Sequence, residues 1–177
     1  MTSPSSRKNS DFSYPPPRGN VLLLSCMDLR LLDDIVVFME QDNLSNRYDQ
    51  FILAGAALGA LGGCDVNYAH WRQSFFDHLG AAHELHDIQD VYILEHRNCG
   101  AYHNVFHVAE EFGDSDAELK KEADCHRKYA QMLEDEIAAW CEVEHIQLRV
   151  RSFLMGIRGD VTLLTDAKKS HRPKRKG

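Results

Sequence analysis

Val21-Leu22-Leu23-Leu24-Ser25-Cys26-Met27-Asp28-Leu29-Arg30 sets a short apolar run directly against a group of reactive side chains. The length and continuity of Val21 to Ser25 suit a strand buried on both faces, which is the habit of parallel sheets. The arrangement recurs downstream, where Val91-Tyr92-Ile93-Leu94 runs into Glu95-His96-Arg97-Asn98-Cys99-Gly100. Open sheets of this kind bind ligands beyond the carboxyl ends of their strands. Cys26 falls at the end of the first run, and His96 and Cys99 fall just after the later one.

The segments around these two runs alternate in type. Leu31 to Gln41 has helical spacing, with Leu32, Ile35, Val36 and Met39 on one side. Gln50 to Leu53 is a further short strand that ends at the small-residue stretch Ala54-Gly55-Ala56-Ala57, and Gly62-Gly63 breaks the chain. Tyr68 to His86 reads as a helix, with Trp71, Phe75, His78 and Leu79 at helical spacing. Helices are also predicted over Ala101 to Phe112 and over Asp116 to Cys141, the latter with Leu119, Ala123, Ala130, Leu133, Ile137 and Trp140 near one face. Ile146 to Met155 alternates, and Gly156 to Gly159 turns the chain into a last strand, Val161 to Leu164, as a terminal hairpin. Strands alternating with helices imply crossover units. The predicted class is α/β, a mostly parallel sheet with an antiparallel edge strand, flanked by helices.

The chain has 177 residues, the size of one ordinary domain, and its 44% apolar and 27% charged residues place it in the globular class. No apolar run approaches the roughly 18 residues of a membrane span. Residues 1–19, with Pro15-Pro16-Pro17, read as a flexible arm without the apolar core of a secretory signal, so a cytoplasmic location is the default expectation. Residues 20–166 form the folded body, and residues 167–177, with six Lys or Arg and no acid, read as a basic disordered tail. With the net charge of the chain at -7, the arm at +2 and the tail at +6, the body carries -15, which speaks against a nucleic-acid surface there. Five cysteines, an odd count, argue for metal ligation or burial rather than a disulfide framework.

Two thiols and one imidazole, from Cys26, Cys99 and His96, are soft-to-borderline ligands that zinc usually takes. Three protein ligands leave a fourth position open, the catalytic arrangement. Asp28 and Arg30, two apart in a segment read as extended, point to one side and pair. A carboxylate so held stays ionised and oriented. It can orient a water on the metal, or become a fourth ligand in a closed form of the site. Cys64 reads as a structural thiol, and Cys125 and Cys141 as packing residues. His103 and His107 read as solvent-facing helix residues, with a second metal or a proton relay as the alternative.

C-x-D-x-R after one buried strand and H-x-x-C-G after another, taken together, resemble the beta class of carbonic anhydrases over residues 20–165. The resemblance implies a parallel sheet with one antiparallel edge strand and homodimers or tetramers. It implies a zinc ion on Cys26, His96 and Cys99, an Asp–Arg dyad at Asp28 and Arg30, and reversible hydration of carbon dioxide to bicarbonate. Ala54–Leu61 is the candidate contact with a partner copy, or else internal core. Departures from the family are Leu29 for Ser, Ala54-Gly55-Ala56-Ala57 for an Arg-Asn-Ala-Gly run, Glu95 for the Gly before the histidine, and Pro17 for a Gln. They bear on the pocket rather than the ligands. Hydrolysis of carbonyl sulfide or carbon disulfide on the same scaffold is the alternative activity, and a zinc-binding regulatory protein without turnover is the alternative class.

Overall fold

The computed structural model describes residues 19–63 and 66–165. The expectations for the arm before Gly19, for Cys64 and for the basic tail lie outside the described residues. Five strands, β1 (Asn20–Ser25), β2 (Tyr48–Ile52), β3 (Ile88–His96), β4 (Arg149–Met155) and β5 (Val161–Thr165), form one sheet in the order β2-β1-β3-β4-β5. The first four are mutually parallel, and β5 returns antiparallel to β4. Four helices, α1 (Leu32–Gln41), α2 (Ala56–Ala60), α3 (Ala69–His86) and α4 (Asp116–Glu144), flank it. The fold is the predicted α/β class with its antiparallel edge. Among the described residues no helix is long and apolar enough to cross a membrane.

Side-chain alternation divides the core. Val21 and Leu23 of β1 and Tyr92 and Leu94 of β3 face α1, where Ile35, Phe38 and Met39 cover them. Leu22 and Leu24, with Val91 and Ile93, face the opposite layer of Ala57, Leu58, Phe75, Leu79, Leu133 and Ile137. A strand covered on both sides gains from apolar residues at every position, which is why the continuous runs at 21–24 and 91–94 mark the sheet centre. The same alternation carries Cys26 onto the Leu22–Leu24 face and gives Glu95 the parity of Val91 and Ile93. Ser25 pairs with Leu94, so the carboxyl ends of β1 and β3 lie side by side.

Of the two readings of Ala54–Leu61, the structure favours internal core: the stretch leads into α2, whose Ala56, Ala57, Leu58 and Ala60 are fully buried. Small side chains let this short helix lie close on the sheet. Two local expectations failed. The helix expected over Ala101 to Phe112 is only a wide helical turn, Ala101–Val105. His107 then takes a left-handed conformation, and Phe106 packs its ring edge-on to Tyr68 and Trp71. β4 is not amphipathic in the way its alternation suggests. Arg151 and Ser152 are buried, Ser152 donating to Glu134 of α4 and Arg151 to Tyr92.

Candidate metal centre

Cys26, His96 and Cys99 converge at the carboxyl ends of β1 and β3, all three buried, with their donor atoms within 4.8 Å of one another. Cys26 follows the last rung of β1, His96 ends β3, and Cys99 is carried inward by a tight turn in which Asn98 is left-handed (φ 53°). Asparagine tolerates that conformation better than most residues. The backbone N–H of Asn98 is fastened by the fully buried Glu122 of α4, which also accepts from Arg97 Nε at 2.8 Å.

The donor set fits a thiophilic divalent ion. The sulfurs lie 3.8 Å apart, and two sulfurs bonded at about 2.3 Å to one tetrahedral zinc lie about 3.8 Å apart as well. His96 Nδ1 lies 2.9 Å from the Arg97 carbonyl and donates to it, which leaves Nε2 its lone pair. That Nε2 is buried and has no hydrogen-bond partner. The hydrogen bond from Cys99, aided by His96 against the effect of burial, holds the Cys26 thiol well down; the same contact and burial push Cys99 up. The pair thus shares one proton that a metal would displace. Gly55 N–H donates to Cys26 Sγ at 3.3 Å. Gly55 is left-handed (φ 75°), and a Cβ there would meet Phe106 at 3.0 Å and Ala101 at 3.2 Å, so both the conformation and the close approach call for glycine.

Asp28 and Arg30 pair, but in a turn rather than an extended segment: Leu31 N–H closes onto the Asp28 carbonyl at 3.2 Å. Arg30 Nε and its terminal nitrogen reach the two carboxylate oxygens at 2.9 and 2.6 Å, and Arg30 N–H adds a bond of 3.0 Å. This grip, Arg30 foremost, holds the Asp28 carboxyl down to about 2, so it is ionised throughout the neutral range. Its Oδ2 stands 3.8 Å from His96 Nε2. Arg30 also donates to the Asn98 carbonyl at 3.1 Å, joining the turn after β1 to the turn after β3.

Several buried polar groups around the centre had no place in the motif reading. Glu95, 1% exposed, accepts from Ala57 N–H and meets Tyr102 and His126, both fully buried. The usable signal was parity for Glu95 and the i, i+4 spacing of Glu122 and His126 on α4. His103 and His107 both line an open cleft of about 690 Å³ with Cys125, Glu110 and Lys121. Among the described residues, the one group of three or more that could hold a metal is Cys26, His96 and Cys99. Cys141 is buried, and Cys125 is half-buried.

No protein-family model matches the chain. It is 30% identical over 142 residues to an uncharacterized protein of Rickettsia bellii, covering 80% of this chain and 79% of that one. It is also 30% identical over 143 residues to an uncharacterized protein of Rickettsia conorii, covering 81% and 70%. Among solved structures it resembles the b-carbonic anhydrase CafA of the fungal pathogen Aspergillus fumigatus, with a TM-score of 0.50 and 11% identity, over 89% of this chain and 78% of that one. At that identity the likeness is one of fold.

Proposed function

We propose, for a chain that belongs to one family with those two rickettsial proteins and carries a β-carbonic-anhydrase-like scaffold, that Cys26, His96 and Cys99 hold a zinc ion and that the protein reversibly hydrates carbon dioxide to bicarbonate. The observation that carries the reading is the donor set itself: two sulfurs at tetrahedral spacing beside a buried, unpartnered imidazole nitrogen. When bound, zinc supplies the Lewis acidity that brings the pKa of water to about 7, as it does in carbonic anhydrases of other design.

The protein's own groups do the rest. The Arg97 carbonyl holds the His96 ring in the tautomer that presents Nε2. Gly55 N–H steadies the Cys26 sulfur. Asp28, ionised and fixed by Arg30, stands 3.8 Å from that nitrogen and orients a nucleophilic water by accepting its hydrogen bond. Arg30 keeps the carboxylate from turning onto the donor atoms. Met27 and Leu29, both largely exposed beside the turn, give the mouth an apolar rim suited to a small uncharged electrophile.

The test is stopped-flow carbon dioxide hydration on zinc-loaded protein, run beside a carbonyl sulfide assay. Rapid hydration is the expected result. Sulfide release with little hydration assigns the sulfur analogue as substrate, and zinc without either turnover contradicts an enzyme. Assembly into homodimers or tetramers belongs to the same proposal. β2 stands at an edge of the sheet with Ile52 exposed, leaving backbone groups open to pairing. Light scattering should give at least twice the 20.2 kDa chain mass, and a single-chain mass at micromolar concentration contradicts assembly.

A further inference from the structure

Glu95 is a carboxyl in an apolar place. It shares its face of β3 with Val91 and Ile93, under α2 and α4, where a leucine would pack without polar demands. Yet its oxygens meet three groups from three separate segments. Oε1 accepts from Ala57 N–H at 2.8 Å. Oε2 accepts from the Tyr102 hydroxyl at 3.0 Å and lies 2.8 Å from His126 Nδ1. The rings of Tyr102 and His126 lie 4.3 Å apart, tilted by 50°. Burial, then the charge of Glu95, pushes the Tyr102 phenol well up, so it remains the donor.

Glu95 itself and two of these segments, those of Ala57 and Tyr102, each lead to a donor of the metal centre. Glu95 adjoins His96 on β3. Two residues before Ala57, Gly55 N–H touches the Cys26 sulfur. Tyr102 N–H closes onto the Cys99 carbonyl at 3.1 Å. One side chain thus sits at the junction of the segment bearing the imidazole, the segment bracing one sulfur and the turn carrying the other. We propose that Glu95 is the positioning residue of the centre: with Ala57, Tyr102 and His126 it sets the mutual placement of the Cys26, His96 and Cys99 donors. The proposal rests on the metal reading above. A buried carboxylate held by three partners at once is suited to fixing one arrangement among several. Groups behind metal ligands act in this way, through orientation.

Cobalt(II) is the probe, since its d–d and thiolate charge-transfer bands report coordination geometry without any assay of turnover. Chelator competition on the full chain should show Glu95→Leu weakening cobalt binding by about tenfold or more, with altered bands. Tyr102→Phe removes only a hydroxyl and carries the test should the Leu variant fail to fold; it should weaken binding in the same direction, by a smaller factor. Glu95→Gln keeps an acceptor for Ala57 N–H and can meet His126 through a tautomer change, so it should restore most of the affinity. Unchanged cobalt binding and spectra in the Leu and Phe variants, alongside a lower melting temperature of the metal-free protein, would make the cluster structural only and overturn the proposal. A Gln variant as impaired as Leu would show that charge matters rather than placement, and overturns it too. Wild-type protein that binds no cobalt overturns the metal reading, and this proposal with it.

Discussion

Cys99→Ser should take the purified protein from about one zinc per chain to nearly none. Cys99 is buried, and its sulfur stands 3.8 Å from that of Cys26. Serine there offers a short, hard hydroxyl that stays protonated at neutral pH, so only one thiolate and one imidazole remain. Two protein ligands do not hold a zinc through purification against a chelator. The effect extends to stability. A metal bound only by the folded chain adds about 4 kcal/mol at a thousandfold excess over Kd, so the parent should melt higher with zinc than after chelation, and the Ser variant should melt alike in both. Elemental analysis and paired melting curves check this; a Cys99→Ser protein that still carries stoichiometric zinc is the contrary outcome.

Arg30→Ala should retain its zinc and lose about 100-fold or more in turnover, the scale of loss that follows misplacement of a reacting group. Arg30 grips both oxygens of Asp28, and that carboxylate stands 3.8 Å from the unpartnered nitrogen of His96. Without the guanidinium, nothing shown in the turn holds Oδ2 away from the donor atoms, and the carboxylate is free to take the open position. Because none of the three donor side chains is altered, metal content should stay near that of the parent. The joint also ties the turn after β1 to the Asn98 carbonyl, so a purely bracing role would appear as loss of metal and turnover together. Turnover near the parent value with full zinc would show that the pair does not govern the site. Zinc content measured on the protein taken for the hydration assay separates the three outcomes.

The parts of this fold that showed in the sequence are those where one physical rule acted alone. Val21–Leu24 and Val91–Leu94 are continuous apolar runs because both faces of β1 and β3 are covered, and Gly156 to Gly159 turned the chain into the β4–β5 hairpin. Reactive residues just past such runs place a candidate site at strand ends before any coordinates exist. Elsewhere two rules competed. α2 escaped notice because four small residues around Leu58 carry little apolar periodicity, although all five are buried. The segment after Ala101 has helical spacing, but packing of Phe106 against Tyr68 and Trp71 overrides it. On α4 the apolar count found Ala130, Leu133 and Ile137 of the buried face, but in the first half it chose Leu119 and Ala123 where Glu122, His126 and Tyr129 are the buried residues. Polar residues do not register in an apolar count, so the groups that fasten the site from behind, Glu122 and His126 with Glu95, were the least legible.

Zinc K-edge X-ray absorption on the purified wild-type protein tests the central claim most directly. The expected first shell holds two sulfurs at about 2.3 Å and lighter atoms, His96 among them, at about 2.0–2.1 Å. A shell of nitrogen and oxygen alone, four sulfurs, or protein that carries no zinc after metal-replete expression would contradict it.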